Sequence, residues 1–399
     1  LLDLNKGHLL KFLGNNENHA VRKAVQTVLP VKRRRMRMIE KGKISALQMS
    51  LMIVPTIIAT VVLIVPAITG KYAERDMWIS PILASLNGFF TVLIVYKLHK
   101  CYPNETFIQY SKHIIGRLPG KVLGLAYLFF LLHLCGIICR EYADFVIVSF
   151  LPKTPMIVVA GSLIFVCAFA VRGGVEVLGR AAQLLVPLFL LPPLLFFLLI
   201  PDFKFENIFP IAGHGMIPPI LGAIVPQAWF SEIFLISILL PFVKDREKGR
   251  KFGMITVLFT MFILVFTNIV NIFLFGATVS SFNYPVFTAF RYISIGDFFE
   301  HLESIVIALW VLGAFIKVAV FYYVLVIGTA QWLNLSDYRP IVFPLGFLIT
   351  IFSIWVTANA QEMGHFLETI YPFYGTIGFT FIPLLLLIFN LFRKKLKNR

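Results

Sequence analysis

The feature that most constrains this chain is a succession of apolar runs of about 20 residues, beginning near residue 44 and recurring to residue 392. As a helix rising 1.5 Å per residue, each run is long enough to cross the roughly 30 Å of hydrocarbon in a bilayer. Within hydrocarbon, backbone amides must be satisfied inside the structure, so only helices and closed barrels cross. Long runs without polar alternation select helices. Composition agrees: 58% of the 399 residues are hydrophobic, 41 are Phe and only 14% are charged, against about 25% in soluble domains. The expected fold class is an all-α polytopic membrane protein, which excludes most soluble enzymes.

Ten spans are read, at about 44–69, 78–100, 121–150, 155–172, 180–201, 215–241, 252–279, 302–331, 340–360 and 367–392. Lys and Arg in the connections set orientation. With the N-terminus inside, the cytoplasmic segments hold 25 of them, and the opposite side holds Lys71, Arg75, Lys153, Lys204 and Arg291. This alternation predicts an even number of spans with both termini cytoplasmic.

The net charge of +16 does not indicate nucleic-acid binding, because of where it lies. Residues 1–43 carry eleven Lys/Arg and three acids and residues 393–399 carry five Lys/Arg, so thirteen of the sixteen net charges flank the spans. Such tails read as topology signals and as contacts with an anionic lipid bilayer. The segment 1–37 is polar and mixed, with no cleavable signal peptide expected. It is read as a basic N-terminal extension, either sequence upstream of a start at Met36 or Met38 or a disordered cytoplasmic tail. The transporter-like membrane domain is 38–399. Cys101, Cys135, Cys139 and Cys167 form no CxxC spacing and read as small hydrophobes, and no motif calls for a metal or cofactor.

Ten spans divide into two sets of five, and an odd-numbered set placed twice in a membrane has inverted topology. Spans one and six then correspond. Pro55 lies eleven residues into the first and Pro226 eleven into the sixth, with Pro66 and Pro241 near their ends. Proline removes a backbone donor and clashes with the preceding turn, so both helices are expected either to break or to kink there. Amides and carbonyls freed at such breaks are available to a substrate or coupling ion.

Charges at bilayer depth cost several kcal/mol unless paired or hydrated. Lys317 lies 15 residues from the start of span eight and 14 from its end, too deep to reach an interface by snorkelling. Its expected partner is Glu232, just beyond the anticipated break at 227–230. Span three places His133, Gly136, Arg140 and Asp144 on one face, with Arg140 and Asp144 at i,i+4 and Glu141 adjacent. These groups either line an outward vestibule or reach the interface. Asn87, Asn268 and Asn271 read as interhelical hydrogen-bonding residues, and Trp229 and Trp310 as packing or ligand platforms.

The segments EKGKISALQMS, IIATVVLIVP, WISPILASLNG, FPIAGHG, SEIFLISILLPF and LESIVIALWVLGAFIK, in this order, make the chain resemble the spore germination permease family over about residues 38–392. That family comprises the integral B subunits of GerA-type germinant receptors, within the amino acid/polyamine/organocation superfamily. The resemblance implies a leucine-transporter-like fold, a 5+5 inverted repeat with broken helices one and six. It implies a small-molecule nutrient site between spans one, three, six and eight, with Thr56, Ala59, Thr60, Tyr142, Gln227, Trp229 and Ser231 as candidate contacts. In that fold span eight borders a sodium position, where Lys317 would supply a fixed, protonatable charge. Implied partners are an A-type membrane subunit and a C-type lipoprotein, and the implied location is the spore inner membrane. One departure stands out: the family's usual Gly-Thr in span one is Ala59-Thr60 here, which adds bulk at the ligand site.

Two functions follow. One is a nutrient-sensing subunit that binds a small nutrient, such as an amino acid, and signals to partners; the other is a proton-coupled secondary transporter of an amino acid or small solute. A ligand-free scaffold is a third possibility. No HExxH, GxSxG or phosphate-cradling glycine loop is present, so no catalytic residue is assigned and an enzyme is not expected.

Overall fold

The computed structural model describes residues 40–293 and 302–397, so the basic extension at 1–37 lies outside the described residues. What is described is helical. Among the described residues, eight helices are long and apolar enough to cross a membrane, and the pair Ile217–Ala223 and Pro226–Phe242, bent by 47°, gives a ninth when counted as one span. A shorter apolar helix, Arg339–Trp355, occupies the place of span nine.

Span one, Ala46–Ala73, starts at a capping box in which the Ser45 hydroxyl accepts from the Gln48 amide and the Gln48 side chain accepts from the Ser45 amide. From the loop between spans six and seven, Asp245 accepts from the Ala46 amide at 2.8 Å. The sequence left break or kink open at Pro55, and the structure corrects the expectation of a break: the helix runs unbroken through Pro55 and Pro66. A single proline removes only one donor from the ladder, and the Thr56 hydroxyl adds a hydrogen bond to the Ile53 carbonyl at 2.6 Å.

Span six does break. Ile217–Ala223 ends before Pro226, and beyond Ser231 the helix tightens into the 3₁₀ turn Glu232–Leu235. The break is supported from span two, where Asn87 Nδ2 donates to the Gln227 carbonyl at 3.1 Å. Span ten carries two π-helical stretches, Phe366–Ile370 and Ile377–Phe381, with Tyr371 starting the turn between them.

The buried core gathers around span one, which packs against spans five, six, seven and eight. Spans four, five and nine turn Phe165, Phe169, Leu184 and Phe347 outward, as a surface bathed in hydrocarbon requires. At the N-terminal end of span one, the buried Glu40 carboxylate accepts from the Gly42 and Val175 amides at 2.7 and 3.1 Å and from Tyr323 and Tyr338 at 3.1 and 3.3 Å. Gly174, at φ +86°, makes this approach possible, because a Cβ there would lie 2.6 Å from Glu40 Oε2.

Candidate functional site

The break in span six brings its fully buried residues against spans one, eight and ten. Lys317 Nζ donates to Glu232 Oε2 at 3.1 Å, to Oε1 at 3.4 Å and to Thr60 Oγ1 at 2.9 Å. Tyr371 donates to Glu232 Oε1 at 2.6 Å, and Trp229 Nε1 donates to Thr60 Oγ1 at 3.0 Å. Lys317 is 0% exposed and Glu232 1%, which makes this a pair held in low dielectric and stabilised by the extra hydrogen bonds a buried pair requires. The Phe321 ring adds a face 5.7 Å from the ammonium.

A second aromatic layer covers span one. Trp310 Nε1 donates to the Ala59 carbonyl at 2.6 Å, its ring stacks on Tyr142 with centroids 5.8 Å apart, and Phe145 meets it edge-on at 4.5 Å. Trp229 packs edge-on against Tyr371 at 4.7 Å.

Of the residues anticipated from sequence, Thr60, Trp229, Glu232 and Lys317 form one network, with Ala59 and Tyr142 joined to it through Trp310. Thr56 and Ser231 turn away: their hydroxyls donate to the Ile53 and Ala228 carbonyls of their own helices. The half-buried Gln227 contributes its backbone carbonyl to the break.

Arg140 and Asp144 lie elsewhere. Arg140 Nε binds Asp144 Oδ2 at 2.9 Å, while Nη1 donates to the Thr357 carbonyl at 2.7 Å beyond the end of span nine. The two are 4% and 7% exposed. Arg140 and Asp144 of the polar stripe thus face neighbouring helices, with Arg140 tied to backbone beyond the end of span nine. Gly136 abuts Phe352, where a Cβ would come to 2.9 Å, and His133 Nδ1 lies 3.1 Å from the Tyr374 hydroxyl. Asn268 bridges span seven to Thr69 and the Met77 carbonyl, whereas Asn271 donates within its own helix.

Tyr371 and the unpartnered state of Glu141 emerge only from the fold. Tyr371 is followed by Pro372 in an apolar span, a signal of local unwinding. The half-buried Glu141 carboxyl makes no hydrogen bond or ion pair among the described residues, yet stands within electrostatic range of Lys317, Glu232 and Asp144. The Glu141 carboxyl thus stands near the Lys317–Glu232 pair without a hydrogen-bond partner of its own among the described residues. No group of His, Cys, Asp and Glu among the described residues is arranged to hold a metal.

A family model described as "Spore germination protein" matches residues 43–361. The chain belongs to that family. It is 27% identical over 369 residues to spore germination protein KB of Bacillus subtilis (strain 168), covering 90% of this chain and 98% of the relative. To spore germination protein XB of Bacillus anthracis it is 27% identical over 332 residues, or 82% of this chain and 92% of the relative. Among solved structures it resembles MhsT in complex with L-phenylalanine (TM-score 0.61, 14% identity, 88% of this chain and 89% of that one). It also resembles an outward-open Na+-coupled sialic acid symporter (TM-score 0.60, 11% identity, 87% and 82%). These likenesses show the leucine-transporter fold, the fold of a multi-pass transporter.

Proposed function

We propose that this protein is the nutrient-sensing membrane subunit of a spore germination receptor, binding a small nutrient between spans one, three, six and eight. The observation that carries this reading is the buried Lys317–Glu232 pair, tied by Thr60, Trp229 and Tyr371 to the broken helix and its neighbours. Relatives named as spore germination proteins support the biological setting. The ligand class is an amino acid. A zwitterion exchanges with both halves of the network, its carboxylate competing with Glu232 for Lys317 and its ammonium meeting the unpartnered Glu141.

Such an exchange loosens the hold of span six on spans eight and ten and shifts the balance between two states, which requires only that the ligand bind them with different affinity. In this reading the changed surface is passed to an A-type membrane subunit and a C-type lipoprotein in the spore inner membrane. The asymmetry of Lys and Arg in the connections supports cytoplasmic termini.

A second reading, a proton-coupled transporter of an amino acid or small solute, is favoured by the likeness to solved transporters. Binding and flux separate the two in proteoliposomes, by thermal stabilisation against amino acids, sugars and nucleosides followed by radiolabelled uptake of any hit with and without a pH gradient. Stabilisation by an amino acid without uptake is the expected result. Saturable uptake driven by the pH gradient would replace sensing with transport, and the absence of any stabilisation would contradict a ligand site within this chain alone.

A further inference from the structure

Apart from the charged network, a cavity enclosing about 580 Å³ of empty space, part of it open to the outside, lies between spans one, five, seven and eight and the short helix Pro285–Arg291. Its walls include Ile58, Val62, Phe196, Phe287, Val306 and Trp310, with no charged residue among those lining it. The two polar groups at its edge are already engaged: the Thr267 hydroxyl donates to the Leu264 carbonyl at 3.0 Å, and Trp310 Nε1 donates to Ala59. A zwitterion or sugar entering here would lose hydration without gaining a partner, and a water would find no set of polar partners. The chemistry of the walls therefore selects an apolar occupant.

The wall formed by span five indicates where that occupant comes from. Its regular helix ends at Phe189, and Pro192 and Pro193 interrupt the continuation. Through this irregular stretch the side chains divide between two faces. Pro192 and Phe196 are buried and line the cavity, whereas Leu191, Leu194 and Phe197 are 44%, 58% and 58% exposed on the outer surface of the bundle. In a membrane-spanning chain that surface meets hydrocarbon, so one interrupted segment separates the cavity from the lipid tails.

We propose that this cavity is a lipid site that takes the acyl chain of a membrane phospholipid. It also has a route to the charged network. Trp310 forms part of the cavity wall and holds the Ala59 carbonyl, and Thr60, the next residue, accepts from Lys317. A chain lodged against Trp310 thus bears on the position of span one. That consequence rests on the proposed role of the network, whereas occupancy of the cavity does not.

The test uses the full chain in vesicles of phosphatidylglycerol and phosphatidylethanolamine containing a phospholipid with a photoreactive diazirine in its acyl chain, with labelled residues mapped by mass spectrometry. Label is expected on cavity residues such as Ile307 and Phe287 as well as on the outer Leu194 and Phe197. Filling the cavity with Val306→Trp is expected to lower the cavity label about tenfold, equivalent to about 1.4 kcal/mol of lost binding, while the outer label persists as proof of folding. Ile58→Phe fills the cavity from span one and serves if the first variant does not fold. Label confined to Leu194 and Phe197, or cavity label unchanged in a folded, filled variant, would overturn the proposal.

Discussion

Lys317 and Glu232 were legible as single residues because ionisable side chains are rare in apolar runs, so each one demands a partner. Tyr371 was not legible, since one tyrosine in a chain with 15% aromatic residues carries no mark distinguishing a hydrogen-bond donor from packing. Arg140 and Asp144 were visible as an i,i+4 pair, but the Thr357 carbonyl that completes their shell is backbone brought near by tertiary folding. Neutralising Lys317 alone strands a buried carboxylate, so Lys317→Met is expected to destabilise the protein by about 3–5 kcal/mol. Adding Glu232→Gln should recover most of that loss, because neither member of the pair then leaves its partner's charge buried alone. Denaturant titrations of both single variants and the double variant check this, and strictly additive losses would mean the pair is not coupled. Thr60→Val removes an oxygen that serves two buried donors, and an expected loss of about 1–3 kcal/mol is read from the same titration.

At the scale of elements, Pro55 and Pro226 looked equivalent in sequence, yet only span six is interrupted. The difference lies around the proline. The segment before Pro226 contains Pro218, Pro219 and Gly222, which leaves a half-helix of only seven residues, whereas Pro55 sits in a long apolar helix packed on several sides. Asn87→Leu withdraws the donor that meets the Gln227 carbonyl, and faster hydrogen exchange across 224–232 is the expected outcome; exchange equal to wild type would mean that the break does not depend on Asn87. The start of span one depends on pH through Asp245. Burial pushes this carboxyl up, but the hydrogen bond from the Ala46 amide and the nearby Lys248 outweigh it and hold the group below the ordinary carboxylate value. A carboxyl lowered on folding stabilises the fold above its unfolded value of about 3.9, and that contribution is lost as pH falls through the lower folded value. The Tm gap between wild type and Asp245→Asn should therefore be full near about pH 6 and shrink below about pH 4. A gap that is constant with pH would contradict the assignment.

For the whole molecule, the ten apolar segments were readable because hydrophobic length is a one-dimensional property, while the assembly of spans one, six, eight and ten around one charged pair depends on packing. Glu40 shows the same limit: it opens the EKGKISALQMS segment, but its four hydrogen bonds come from residues as distant as Tyr338. In the proposed reading Lys317 and Glu232 form a ligand-responsive switch rather than a structural rivet. The most direct test is thermal stabilisation of the Lys317→Met/Glu232→Gln double variant by the amino acids that stabilise wild type. We expect a folded protein that has lost the ligand-induced shift; a folded double variant stabilised as strongly as wild type would show that the pair only holds the helices together.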